Sequence, residues 1–78
     1  MTESDLKAIV ASVAKKNPLF RPITTTLHDR GANVEFADIQ DRDPRTISGW
    51  FENAGGMVMY IGREWKINGF VMYVELRA

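Results

Sequence analysis

The chain has no cysteine, so disulfides and thiolate metal sites are excluded and packing alone must hold the fold. It has one histidine, His28, with only Asp29 beside it as a second donor. That is too few ligands at too short a spacing for a metal centre, so no metal or other cofactor is expected. No apolar run approaches the ~20 residues that span a bilayer, so no membrane partner is expected. Nor is there an excess charge of either sign. Ten basic and ten acidic residues cancel, which removes the basic surplus typical of a strong non-specific nucleic-acid binder. Repeats, low-complexity tracts and linkers are also missing, and 78 residues make a single domain, 1–78. A chain of this size buries only about 60% of its unfolded surface. The N-terminal MTESDLKAIV carries acids early and lacks the charged-then-apolar design of a signal peptide. Together with the missing cysteine this sets a cytoplasmic expectation.

Catalysis finds no foothold either. Ser48 stands between Ile47 and Gly49, without the flanking glycines of a nucleophile elbow. Gly55-Gly56 has no lysine placed to form a phosphate cradle. The acids Asp38, Asp41 and Asp43 do not make a calcium loop. Counted from Asp38, the sixth position is Asp43 instead of glycine and the twelfth is Gly49 instead of glutamate. The chain is therefore not expected to be an enzyme.

What is present is an α+β pattern, a small helical N-terminal part followed by a C-terminal β-hairpin. Leu6, Ile9, Val10, Val13 and Ala14 recur at three- and four-residue steps and predict an amphipathic helix over 3–16. Thr2 or Ser4 caps it, Glu3 and Asp5 suit its positive end, and Asn17-Pro18 stops it. Residues 22–30 read as a weaker helix, with Pro22 at its first position and Gly31 as its C-cap. Three successive threonines make a strand the rival reading there. Residues 33–35 suit a short strand, and Phe36 to Gln40 a turn or two of helix. Asp43-Pro44 then opens a helix to Ala54 that buries Ile47, Trp50, Phe51 and Ala54. Residues 57–61 and 70–76 are rich in β-formers, and Asn68-Gly69 is a hairpin signal. Gly62-Arg63 is either a further tight turn or the start of a longer loop over 62–69.

The segment 34–54, VEFADIQDRDPRTISGWFENA, followed by the ribbon at 57–76, resembles a winged helix-turn-helix domain over about residues 22–76. In that resemblance Phe36-Ala37-Asp38-Ile39 stands for the first helix of a pair spanning 36–54. Arg45-Thr46-Ile47-Ser48 opens the recognition helix, and the ribbon is the wing. The resemblance implies a small regulator of transcription or replication that binds double-stranded DNA, as a dimer. Arg45, Thr46 and Ser48 would read base edges, while Arg42, Arg63 and Lys66 would meet phosphates.

A second reading stays open. Arg42 and Arg45 would pair with Asp38, Asp41 and Asp43 on a solvated surface, and those acids would repel phosphate. The ribbon alternates Met57, Met59 and Ile61 against Val58 and Tyr60, and Phe70, Met72 and Val74 against Val71 and Tyr73, so both of its faces are apolar. This suits a protein–protein interaction module, or a small inhibitor of a protein partner, that uses Tyr60, Trp65 and Tyr73. A homodimer through the C-terminal strand is the other form of the same idea. A continuous basic strip around 42–52 and 62–67 would favour DNA. A mixed surface with exposed Trp65 or Tyr60 would favour a protein.

Overall fold

The computed structural model describes residues 1–40 and 42–77. In chain order these residues form a helix α1 (Glu3–Lys16), strands β1 (Pro22–His28) and β2 (Gly31–Ala37), a helix α2 (Pro44–Asn53), and strands β3 (Met57–Lys66) and β4 (Gly69–Arg77). The strands make one antiparallel sheet in the order β1-β2-β4-β3. The coarse α+β expectation is met. No described helix is long and apolar enough to cross a membrane.

Local chemistry sets the helix ends. Thr2 and Asp5 form a reciprocal capping box. The Thr2 hydroxyl accepts from the Asp5 N–H at 3.1 Å, and the Asp5 carboxylate accepts from the Thr2 N–H at 3.0 Å. At the other end the Asn17 side-chain amide donates to the Val13 carbonyl. In α2 the Asp43 carboxylate accepts from the Arg45 N–H at 2.8 Å, with Pro44 in the first turn.

Two hairpins build the sheet. Each turns on two residues, Asp29-Arg30 or Ile67-Asn68, and each is followed by a glycine with positive φ, Gly31 at 148° and Gly69 at 117°. Among the described residues no non-glycine takes positive φ, so these glycines absorb the conformation that the turns impose. The second turn therefore lies one residue earlier than Asn68-Gly69 suggests.

Both helices lie on one face of the sheet. Ala32, Val34 and Phe36 of β2 sit directly opposite Leu76, Val74 and Met72 of β4, and all six are buried. Leu6, Ile9 and Val13 of α1 and Ile47 and Phe51 of α2 close over them. Phe20, Phe36 and Phe51 form an aromatic cluster with centroid separations of 5.1, 5.5 and 6.1 Å.

Several expectations are corrected. Residues 22–28 form a strand, not a helix, since Ile23 and the three threonines favour extended backbone. Gly31 serves the turn of a hairpin and caps no helix. Phe36 and Ala37 end β2, because the two-residue alternation Val34-Glu35-Phe36 places Val34 and Phe36 in the core. Among the described residues of 36–54 there is thus one helix, α2, and the first member of a helix-turn-helix pair is not formed. A bulge between Val58 and Tyr60 breaks the simple alternation of β3. Val58 and Ile61 pack against the core, whereas Met57, Met59 and Tyr60 are exposed. Gly62-Arg63 makes no turn and lies within β3.

Candidate functional site

Two surfaces carry the residues singled out from the sequence. The first lies around the start of α2. Arg45 extends from the first turn with its side chain 93% exposed and meets the Asp43 carboxylate at 3.4 Å. The hydrogen bond from the Arg45 backbone N–H, and then the one from its side chain, hold the Asp43 carboxyl below the usual carboxylate range. Thr46 is exposed beside Arg45, while Ser48 is half-buried, so the three proposed base readers are not equally presented. Arg42 is exposed just ahead of the helix. Asp41, the third of the acids weighed against DNA, lies outside the described residues.

The ribbon cations do not join this patch as free charges. Arg63 donates from Nε to the Asp38 carboxylate at 2.6 Å and from Nη2 to the Ile39 carbonyl at 3.4 Å. It ties β3 to the segment after β2. Lys66 meets Glu64, two residues away on its own strand, at 3.4 Å. Arg45, Arg63 and Lys66 thus each have an acid within ion-pair distance, and the surface is mixed in charge.

The second surface is the far end of the β3–β4 hairpin. The core-facing stripe of β4 runs Leu76, Val74, Met72 and then Phe70. The first three are buried, and Phe70, next to the turn, is 52% exposed. Trp65 lies opposite Phe70 in the register, with its ring edge-on at a centroid distance of 4.8 Å and an angle of 75°. It is 68% exposed, and Ile67 in the turn is 97% exposed. Three large apolar side chains thus share one projecting tip. Sequence reasoning picked out Trp65 but missed Ile67 and Phe70. The signal was an isoleucine inside a turn, where polar residues are usual.

Tyr60 and Tyr73 lie on the opposite face of the same hairpin, away from the tip. Their rings are 5.7 Å apart and cross over Gly62, whose missing Cβ leaves them room. A hydrogen bond between their hydroxyls raises the Tyr73 phenol above its ordinary range. Loss of water contact adds to this, as do the charges of Glu75 and Glu64. The tyrosines and Trp65 therefore lie on opposite faces of the hairpin. Within the sheet β4 is flanked by β2 and β3, so its backbone is paired on both sides inside the chain. His28 ends β1, exposed, with its Nδ1 accepting from the Arg30 N–H at 3.3 Å.

Among the described residues no cluster of three or more metal-ligating side chains occurs. No family model matches the chain, and neither a curated protein nor a solved structure does so.

Proposed function

We propose that this chain is a protein-interaction module that docks on a partner through the tip formed by Trp65, Ile67 and Phe70. The observation that carries the reading is the exposure of three large apolar residues on one projecting hairpin, next to charges that are already paired. Aromatic anchors of this kind dominate binding energy when a partner removes them from water. A small inhibitor of a protein target fits the same description. The partner would offer an apolar pocket or groove wide enough for an indole and an isoleucine. Affinity capture from cell extract tests it. Wild type should retain a partner that Ile67→Lys and Trp65→Ala lose.

Duplex DNA is the second reading, supported by the exposure of Arg45 and Thr46 at the start of α2. In it, α2 lies in the major groove and Arg45 meets a guanine edge, with Ser48, Arg42, Arg63 and Lys66 assisting, in a regulator of transcription or replication. Arg63 would have to leave Asp38 to take part. A mobility-shift titration with random duplex at low and moderate salt separates the two readings. DNA binding through these cations gives a shift that weakens steeply with salt, and a protein-docking module gives none.

A further inference from the structure

The two edges of the sheet are treated differently. The β3 edge carries a bulge between Val58 and Tyr60 and the charged residues Arg63, Glu64 and Lys66, all devices that discourage pairing with another strand. The β1 edge, Pro22–His28, has no Lys, Arg, Asp or Glu along it, its proline sits at the first position, and its one irregularity lies beside that proline, between Pro22 and Thr24. On the helix side Ile23 and Leu27 are 56% and 38% exposed. Ile23 borders an apolar groove of about 420 Å³ that is also lined by Leu6, Val10 and Ala14 of α1.

The backbone of β1 is free to pair. The Ala37 N–H bonds the Arg21 carbonyl at 3.0 Å, and the register runs from Thr24 opposite Glu35 to His28 opposite Gly31. Alternation then turns the backbone groups of Thr24, Thr26 and His28 toward β2 and those of Thr25 and Leu27 outward.

The geometry points to a second copy of this chain as the occupant of that edge, paired antiparallel about a twofold axis at Thr25. The sequence Arg21-Pro22-Ile23-Thr24-Thr25-Thr26-Leu27-His28-Asp29 is self-complementary about Thr25 except at the pair Pro22 and His28. Folded onto itself, it sets Arg21 against Asp29, Ile23 against Leu27, Thr24 against Thr26 and Thr25 against its own copy. Opposite charges meet twice, Ile23 meets Leu27 and Thr25 meets its own copy on the helix side, and Thr24 meets Thr26 on the open face. Neither Arg21 nor Asp29 has an ion-pair partner within its own chain among the described residues. At the axis the outward backbone groups of Thr25 meet those of its copy, as an antiparallel ladder requires, while Leu27 faces Ile23 at the irregularity between Pro22 and Thr24. The contact strip is about 23 Å long, at the small end of specific interfaces, so the dimer dissociates at roughly micromolar to sub-millimolar concentration. It joins two four-stranded sheets into one of eight and is independent of the docking tip.

Sedimentation velocity across a wide concentration range should show a reversible monomer–dimer equilibrium. Thr25→Pro removes an outward N–H without touching the β1–β2 ladder, and should raise the dissociation constant about tenfold or more. Should Thr25→Pro disturb the fold by circular dichroism, the charges decide instead. Arg21→Asp should weaken the dimer, and Arg21→Asp with Asp29→Arg should restore it. The register is read by cysteines, since the chain has none of its own. Thr24→Cys mixed with Thr26→Cys should form a disulfide dimer on oxidation, and neither should do so alone. A monomer at all concentrations overturns the inference. So does a Thr25→Pro variant that folds and dimerises like wild type, or equal cross-linking of either cysteine variant by itself.

Discussion

Arg63 and Asp38, 25 positions apart in the chain, meet at 2.6 Å on the helix side of the sheet and fasten the β3–β4 hairpin to the segment leaving β2. The contact gives a sequence-level DNA candidate a structural task. Arg63→Ala should lower stability by about 1 kcal/mol, since the pair is partly exposed and screened. For a domain of this size that lowers the melting temperature by about 4–8 °C. Thermal melting monitored by circular dichroism checks it. An unchanged melting temperature would show that the pair contributes nothing to stability.

Asp43 links the start of α2 to pH. Its folded carboxyl titrates below its unfolded value because it accepts from the Arg45 N–H and side chain. A depressed pKa contributes stability that is fully present above the unfolded value, about 3.9. That contribution fades as pH falls through the folded value. Asp5 acts the same way at α1, where the hydrogen bond from the Thr2 N–H holds its carboxyl low. Asp43→Asn keeps a capping side chain but cannot titrate. Its deficit relative to wild type should therefore shrink between pH 7 and pH 3, as measured by urea unfolding at each pH. A constant deficit would contradict the assignment.

Phe51 is fully buried and touches both Phe20 and Phe36. Phe51→Ala should cost about 3–5 kcal/mol, much of the total stability of a domain this small. Phe51→Leu, which keeps most of the volume, should be tolerated far better. Urea titration of both variants gives the comparison.

Gly62 supports the tyrosine pair by having no side chain. A Cβ there would lie 2.9 Å from the Tyr60 ring and 3.2 Å from the Tyr73 hydroxyl. Both groups are at the outer ends of side chains that can swing, so Gly62→Ala should fold. It should separate the hydroxyls and bring the Tyr73 titration back toward its ordinary range. Ultraviolet absorbance titration reads this directly, and an unchanged alkaline transition would contradict the geometry.

The parts of this molecule legible in the sequence are those fixed by local chemistry. The stripe Leu6, Ile9 and Val13 with its caps places α1, and Asp43-Pro44 places the start of α2. The parts that were not legible depend on distant partners. Phe36-Ala37 carries helix-compatible residues, but antiparallel pairing of β2 with β4 draws Val34 and Phe36 into the core. Gly31 reads equally well as a helix cap or as a hairpin glycine, and only β1–β2 pairing decides between them. At the site, Trp65 was visible as a large aromatic near a turn. That Phe70 and Ile67 join it depends on the register of β3 with β4 and on which residues the helices leave uncovered, which no local pattern encodes. Arg63 looked like a phosphate ligand because its partner, Asp38, is remote in the chain.

Quantitative capture from cell extract, run in parallel on wild type, Ile67→Lys and Arg45→Ala, bears most directly on the docking tip. The account predicts a partner protein held equally by wild type and Arg45→Ala and lost by Ile67→Lys, with both variants folded like wild type. Capture of no partner, or a partner or duplex DNA retained by Ile67→Lys and lost by Arg45→Ala, would contradict it.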